Sequence, residues 1–451
     1  MSAELGCAVV LFTRDLRIHD HHALHTALGR ARHVVPLFVL DPALAGAGPN
    51  RVRFLLDALA DLRGALRRRG GDLVIRRGDV ITETLRVARE HGARAIVTSA
   101  DVSGLAQHRE RRLAKACDRA RIELVRCPGV TVVPPHQLRP RGGDHYRVFT
   151  PYWRAWRAVP SAPPRPAPAH VPVPTGLVAG RLPPLEELVA GCTSPALPPG
   201  GETAGRRRLD AWADELAAGA EQQDDLAADA TSRLSPYLHF GCVSPRDAAA
   251  AATGTGSEAF LRQLCWRDFH HQVTAAFPAI TTEEYRPRGD RWEHGGEELA
   301  AWREGRTGYP IVDAGMRQLL HEGWMHNRAR LITASFLCKD LYVDWRLGAR
   351  HFMTWLVDGD VADNYGNWQW VAGTGNDTRP HRVLNPLRQA ARFDPHGDYV
   401  RRYVPELASV PGAAVHRPWE LDPEVRMAID YPDPIVEHDD AIARFRAARQ
   451  H

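Results

Sequence analysis

Short apolar runs and longer amphipathic stretches alternate along the first third of the chain. The runs are AVVLF (8–12), HVVPLFVLD (33–41), DLVIRR (72–77), ARAIVTSA (93–100) and IELVR (122–126). Between them lie segments such as RFLLDALADLRGALRRR and HRERRLAKACDRA, whose apolar positions recur at helical spacing. Runs of this length with little alternation suit strands buried on both faces, and the helical stretches between them supply the covers. The pattern predicts a β-α-β, Rossmann-like domain with a parallel sheet over residues 1–133. No G-x-G-x-x-G follows the first strand and no G-x-x-x-x-G-K-[ST] occurs, so neither the dinucleotide nor the P-loop variant of such a fold is supported.

From 134 to 201 the periodicity gives way to a proline-rich stretch, including VPSAPPRPAPAHVPVPTG and ALPPGGET, which reads as a long, partly extended interdomain connection. Beyond residue 202 the chain reads as successive helices separated by glycine and proline breaks, giving a second, all-α domain over 202–451. No apolar run approaches the roughly 18 residues that cross a bilayer. The N-terminus lacks the pattern of a secretory signal, so the expected location is a bacterial-type cytoplasm, without membrane association. The seven cysteines show no C-x-x-C pair or framework spacing. Reduced, mostly buried thiols are expected, and no metal site.

The net charge of +4 permits nucleic-acid binding without demanding it. Of the 58 basic residues all but Lys115 and Lys339 are arginine, whose planar fork suits phosphate, although a GC-rich genome produces the same bias. HEGWMH resembles a zinc-protease helix, but His321 and His326 are five apart and face different ways. The histidines 19, 21, 22 and 25 read as solvated residues at a helix start. There is no G-x-S-x-G elbow to suggest a hydrolase.

Three helical segments carry polar and aromatic residues on one face where a core helix would be apolar. In FLRQLCWRDFHHQ these are Gln263, Trp266, Arg267 and His270; in GWMHNRARLITASF they are Asn327, Arg330, Leu331 and Ala334. In DGDVADNYGNWQWV they are Asp360, Asn364, Asn367 and Trp368, with Asp358 just upstream. Any one of these faces could be solvated. Together, tryptophan beside Asp, Asn and Arg calls for a partner that is both aromatic and rich in hydrogen-bonding groups, such as a flavin or a base. ATSRLSPYLHFG adds hydroxyls and an arginine that could cradle a pyrophosphate, or cap a helix.

VVLFTRDLRIHDHHAL, TSRLSPYLHFG, QLCWRDFHHQ, the stretch from TGYPIVDAG to YVDWR, and DGDVADNYGNWQWVAGTGNDTRPHRVLNP closely resemble photolyases, most closely the class I enzymes that repair cyclobutane pyrimidine dimers. The resemblance covers nearly the whole chain. It implies an N-terminal antenna domain and a C-terminal helical domain that holds noncovalent FAD, reduced in the active form. It implies that Thr231, Ser232, Arg233, Leu234 and Ser235 hold the FAD phosphates, that Arg330 pairs with Asp358, that Asp360 lies against the flavin and that Asn364 faces its N5. Trp266 would stack on the dimer, Trp370 would help wall the cavity, and Gln263, Arg267 and Asn327 would line the floor between dimer and cofactor. Arg328 and Arg382 would contact DNA phosphates, while Trp368, Trp345 and Trp292 would form a chain of electron carriers.

The implied partner is UV-damaged DNA, bound by a monomer that needs no protein partner and sits on the nucleoid when engaged. The implied reaction is electron donation from photoexcited reduced FAD to a flipped-out dimer. The sequence departs from the family pattern at Gln263, Leu331, Ala220 and Asp224. Glutamine at 263 is also typical of 6-4 photolyases, but Asn327 and Leu331 stand where those enzymes carry histidines, so the cyclobutane dimer is favoured. A cryptochrome-type blue-light receptor is the other alternative; the retained Asn364 and the absence of an extended tail favour repair. His108 falls where a folate-binding glutamate is expected, which favours 8-hydroxydeazaflavin over methenyltetrahydrofolate as an antenna, if there is one.

Overall fold

The computed structural model describes residues 5–160, 162–219, 224–254, 256–376, 379 and 381–449. By contact density the chain forms two compact units. The first comprises the chain up to Cys192 with Pro198–Ala218 and Ser232–Pro278; the second comprises Thr193–Leu197, Gly219–Thr231 and the chain from Ala279 onward.

The first unit is built on a five-stranded parallel sheet, β1 (Leu5–Leu11), β2 (Ala31–Leu40), β3 (Val74–Arg77), β4 (Ala95–Ser99) and β5 (Glu123–Cys127), in the order β3-β2-β1-β4-β5. All five strands fall on the apolar runs. The central strands are buried on both faces: Val9, Val10, Val34, Val35, Leu37 and Ile96 are all inaccessible, as a parallel sheet covered by helices requires. The helices of this unit are α1 (His22–Leu28), α2 (Pro49–Arg67), α3 (Val80–Glu90), α4 (Gly104–Ala120), α5 (Phe149–Arg157), α6 (Glu202–Gly219), α7 (Ser235–His239), α8 (Pro245–Ala251) and α9 (Ser257–Ala276). Cys7, Val9, Val35, Val74, Val87 and Ile96 belong to one apolar core of the unit.

The proline-rich stretch is not a free tether. Proline carbonyls can accept hydrogen bonds although the ring nitrogen cannot donate, and the chain uses this along the sheet edge. Val34 N–H donates to the Pro172 carbonyl at 2.8 Å, and Ile75 N–H to that of Ala179 at 2.7 Å. The stretch also contains the amphipathic helix α5, whose Tyr152, Trp153 and Trp156 are buried.

The second unit is helical: α10 (Glu297–Glu304), α11 (Pro310–Glu322), α12 (Asn327–Ser335), α13 (Trp345–Trp355), α14 (Val361–Ala372), α15 (Pro386–Phe393), α16 (Asp398–Tyr403), α17 (Pro423–Met427) and α18 (His438–Ala448). A π-turn over Phe336–Asp340 continues α12. It buries Lys339, whose Nζ donates to the Ala372 carbonyl at 3.0 Å. One of the chain's two lysines is therefore an interior residue, satisfied by the end of α14 and by the Phe445 ring 4.3 Å away. Among the described residues all seven cysteines are free and all but Cys192 are buried, and no helix is long and apolar enough to cross a membrane.

Candidate flavin and DNA site

In the second unit, α12, α13 and α14 converge on a cavity. Its lining includes Asn327, Arg330, Leu331 and Ala334 from α12, and Asn364, Asn367 and Trp368 from α14. The whole α12 face read from the sequence, and most of the α14 face, thus open onto one space. Phe352, Leu356, Asp358 and Asp363 complete much of the wall. Asp363 was not foreseen, although it lies three residues after Asp360 and four before Asn367 on the same helical repeat. Asp360 and Trp370, expected at the cavity, are not among its lining residues.

Local sequence explains how these groups are held. Asp360 is the N-cap of α14, its carboxylate accepting from Ala362 N at 2.8 Å and Asp363 N at 3.2 Å. The helix ends at Gly373, whose φ of +84° glycine adopts without steric cost. His326 caps α12 through Nδ1, which accepts from Arg328 N at 3.1 Å; this accounts for one histidine of the zinc-like motif, while His321 is exposed. Asn364 donates its amide to the Ala349 carbonyl at 3.1 Å.

Arg330 pairs with Asp358, as expected, with Nη2 2.7 Å from Oδ2. The other carboxylate oxygen, Oδ1, is buried and has no hydrogen-bond partner. A buried acceptor left unmade costs about 1–3 kcal/mol, so the arrangement favours a ligand that brings a donor. A flavin nucleotide offers ring N–H and ribityl hydroxyl donors with a planar ring for Trp368 and Phe352 to border. The donor set fits FAD.

The tryptophans of the second unit are graded in exposure. Trp345 is inaccessible, Trp368 is 2% exposed, and Trp292 is partly exposed. Gly348, one turn after Trp345 on α13, makes room for Trp368: a Cβ there would lie 2.2 Å from the indole Cη2. Trp292 donates its Nε1–H to Glu284 at 3.2 Å. Arg382 is exposed and its guanidinium lies 5.2 Å from the Trp370 ring. Arg328 lies 4.3 Å from the Phe393 ring and pairs with Asp224 at 2.8 Å. The Asp224 departure from the family pattern therefore places an anion on an arginine expected to meet phosphate. Thr231 also belongs to this unit and is half-buried.

The first unit carries the remaining expected residues. Trp266 on α9 is half-buried, with the Phe149 ring stacked on it at 3.6 Å and 4°. Gln263 is exposed. Arg267 donates to the Val130 carbonyl at 2.5 Å. Its neighbour Asp268 is fully buried and accepts from Trp156 Nε1 and Val133 N at 2.8 and 2.9 Å; burial raises its carboxyl to about 6 against the pull of these donors and Arg267. Arg233 takes φ +49° just ahead of α7, while Ser232 Oγ accepts from Leu234 N at 3.4 Å. Leu234 is buried and Ser235 exposed. Ala220 lies outside the described residues.

Residues 260–451 match the family model for the FAD binding domain of DNA photolyase, and 8–172 match that for DNA photolyase. A deoxyribodipyrimidine photo-lyase of Streptomyces griseus is 53% identical over 99% of this chain and 99% of its own length. The chain belongs to the DNA photolyase family. The photolyase fold is matched at a TM-score of 0.92 by a bacterial class III photolyase from Agrobacterium tumefaciens, 33% identical and covering 100% of this chain and 98% of that one. An archaeal photolyase from Sulfolobus tokodaii, solved with two FAD molecules, superposes at 0.87 with 31% identity, covering 98% and 99%. An α/β domain with a parallel sheet and a helical FAD-binding domain are thus family features that this photolyase shares.

Proposed function

We propose that this photolyase repairs cyclobutane pyrimidine dimers in UV-damaged DNA, using noncovalent FAD in its reduced form. The observation that carries the reading is the Arg330–Asp358 pair, with its unpaired buried oxygen, beside a cavity bordered by Asn364 and Trp368. When bound and reduced, FAD supplies the photoexcited electron that opens the cyclobutane ring and is afterwards returned.

The chain's part is to bind, orient and exclude water. Arg330 and Asp358 hold each other, and the Asp358 Oδ1 takes a donor from the cofactor. Asp360 and Asn364 act on the flavin from α14, Asn364 presenting a neutral amide that adds no charge beside a reduced ring. The segment Thr231, Ser232, Arg233, Leu234 and Ser235 takes the phosphates. Gln263, Arg267 and Asn327 contact both cofactor and dimer. Trp266, already backed by Phe149, offers its remaining surface for stacking on a flipped base, a contact worth roughly 1–3 kcal/mol per base. Trp370 borders the substrate, and Arg328 and Arg382 take DNA phosphates. Trp368, Trp345 and Trp292 relay electrons inward when oxidised cofactor is photoreduced.

Residues 1–133 act as the antenna domain, 134–201 as the connection and 202–451 as the FAD- and DNA-binding domain. For the antenna we favour 8-hydroxydeazaflavin over methenyltetrahydrofolate. Supporting a second chromophore is a cavity of about 710 Å³ in the first unit, bordered by Asp101, Gln107, Glu110 and Arg126; weighing against folate is His108 at the glutamate position. The protein works as a cytoplasmic monomer, on the nucleoid when bound to DNA.

The test is product analysis by chromatography after illuminating chemically reduced enzyme with DNA carrying each lesion. Cyclobutane thymine dimers should revert to thymines while 6-4 photoproducts persist. Reversal of only the 6-4 lesion refutes the substrate assignment, and absence of acid-releasable flavin after reconstitution refutes the cofactor assignment.

A further inference from the structure

The second unit holds another cavity, which shares no lining residue with the one assigned to the flavin. It encloses about 370 Å³ between the start of α15 and α18, and its walls include Asn385, Arg388, His438 and Arg446. Local sequence gathers these groups. His438, Ile442 and Arg446 recur at every fourth position of α18, which brings them along one face. Asn385 caps α15, its Oδ1 accepting from Arg388 N at 3.0 Å, and so fixes the turn that carries the Arg388 side chain.

The charges at this cavity are unbalanced. His438 Nδ1 lies 2.5 Å from Oδ1 of Asp340, the inaccessible last residue of the π-turn. The hydrogen bond to Asp340 and its charge raise His438 above the ordinary histidine value, against its own partial burial and the nearby Arg388. Burial raises the Asp340 carboxyl as well, and between the two titrations the pair stands as imidazolium and carboxylate. With Nδ1 engaged by Asp340, Nε2 is the ring nitrogen left for a ligand. The arginines have no such counter-charge. Among the described residues neither the Arg388 nor the Arg446 guanidinium makes an ion pair or hydrogen bond, whereas Arg449, three positions beyond Arg446, holds both oxygens of the buried Asp290. Like charges are therefore gathered at one cavity whose single carboxylate, Asp439, pairs with neither arginine, and a bound anion would relieve their repulsion.

We propose that this cavity binds the phosphate of a nucleotide, with Arg388 and Arg446 as the charged contacts and His438 as a third donor. Guanidinium forks match pairs of phosphate oxygens, and a volume of this order takes a small organic ligand rather than an ion alone. Val383, Ile442 and Ala443 continue the wall as apolar surface, which a sugar and base cover and an inorganic ion does not. Asp439 adds an acceptor for a sugar hydroxyl or base amine. The nucleotide is either free or part of a DNA strand, since both present the same phosphate.

The experiment titrates adenosine monophosphate into the flavin-loaded, full-length protein by calorimetry at low salt, with adenosine as the control, and measures binding of undamaged duplex DNA across a salt series. Arg388→Gln and Arg446→Gln alter exposed side chains and leave the His438–Asp340 pair in place, so both should keep the wild-type urea midpoint. Each should weaken the nucleotide about tenfold, the worth of one charge-assisted contact, and adenosine should show no saturable binding. Weakened nucleotide binding with an unchanged DNA salt slope assigns a free nucleotide; a slope flattened by about one unit in each variant assigns a nucleotide within DNA. Nucleotide binding that is undetectable in wild type, or equal in the double variant, together with an unchanged slope overturns the proposal. Adenosine binding as tightly as its monophosphate overturns it too. His438→Asn, which keeps a donor for Asp340 without the charge, should also weaken the nucleotide, and the two arginine variants decide the matter should that protein not fold. Failure of dimer repair with nucleotide binding retained would overturn the enzymatic reading and leave this site intact.

Discussion

Gly348→Ala offers a sharp test of how the tryptophans are packed. A Cβ at this position would meet the Trp368 Cη2 at 2.2 Å and Cζ3 at 2.6 Å, with Leu337 Cδ2 at 2.5 Å. Leu337 can yield by changing rotamer. Trp368, 2% exposed and lying edge-on to Phe352 with centroids 5.0 Å apart, cannot move without opening the interior. Overpacking of this kind costs about 1–3 kcal/mol, while replacing a helical glycine by alanine returns up to about 1 kcal/mol. A net destabilisation of about 1–2 kcal/mol is expected, read as a fall in the urea midpoint at unchanged slope. The atoms that clash belong to the outer ring of the indole, which phenylalanine lacks. In a Trp368→Phe background the cost of Gly348→Ala should therefore shrink, with a coupling of at least about 1 kcal/mol in the double-mutant cycle. Gly348→Ala should also slow photoreduction of oxidised FAD by displacing Trp368. Additivity within about 0.5 kcal/mol would refute the claim that Gly348 exists to seat this indole.

Two further outcomes follow from charges. Asp224→Asn should strengthen binding to dimer-containing DNA and steepen its salt dependence by about one unit, because Arg328 is released from a 2.8 Å pair that is itself worth only about 0–1 kcal/mol at the surface; an unchanged slope by filter binding across a salt series would remove Arg328 from the phosphate contacts. His351 is mostly buried with its Nε2 unpartnered, and burial lowers it from 6.5 to about 4. The unfolded chain therefore binds the extra proton first, so stability present above pH 6.5 falls by roughly 3 kcal/mol as pH drops toward 4, and His351→Leu should flatten that limb of the denaturation profile.

The parts of this photolyase most legible in the sequence are those governed by a local period. Each strand of the sheet falls on an apolar run, and Asn327, Arg330, Leu331 and Ala334 reach one cavity because their spacing follows the helical repeat. Pairings between distant segments left no such trace. Asp224 and Arg328 meet across 104 positions, Lys339 finds the end of α14 through a π-turn, and the proline-rich stretch docks on the sheet through carbonyls that composition does not reveal. Asp363 was legible by the same helical repeat and was overlooked. It lines the cavity within the first turn of α14, where the Asp360 cap sets the start of the helix, and sits three residues after Asp360 and four before Asn367.

One helix contact governs more of this site than any single side chain in it. Gly348 and Ala349 are adjacent on α13 and both meet α14: the first admits the Trp368 ring, and the second offers its carbonyl to the Asn364 amide at 3.1 Å. Asn364 and Trp368 are themselves one turn apart on α14, so they face α13 together. The proposed flavin-facing amide and the proposed first electron carrier are thus set by the same two small residues, with Trp345 one turn upstream of them. Side chains larger than these would hold the helices apart and move both functions at once. Adaptation of cofactor chemistry and of photoreduction is consequently coupled here, and either can be tuned independently only from residues outside this contact, such as Arg330 and Asp358 on one side and Trp292 on the other.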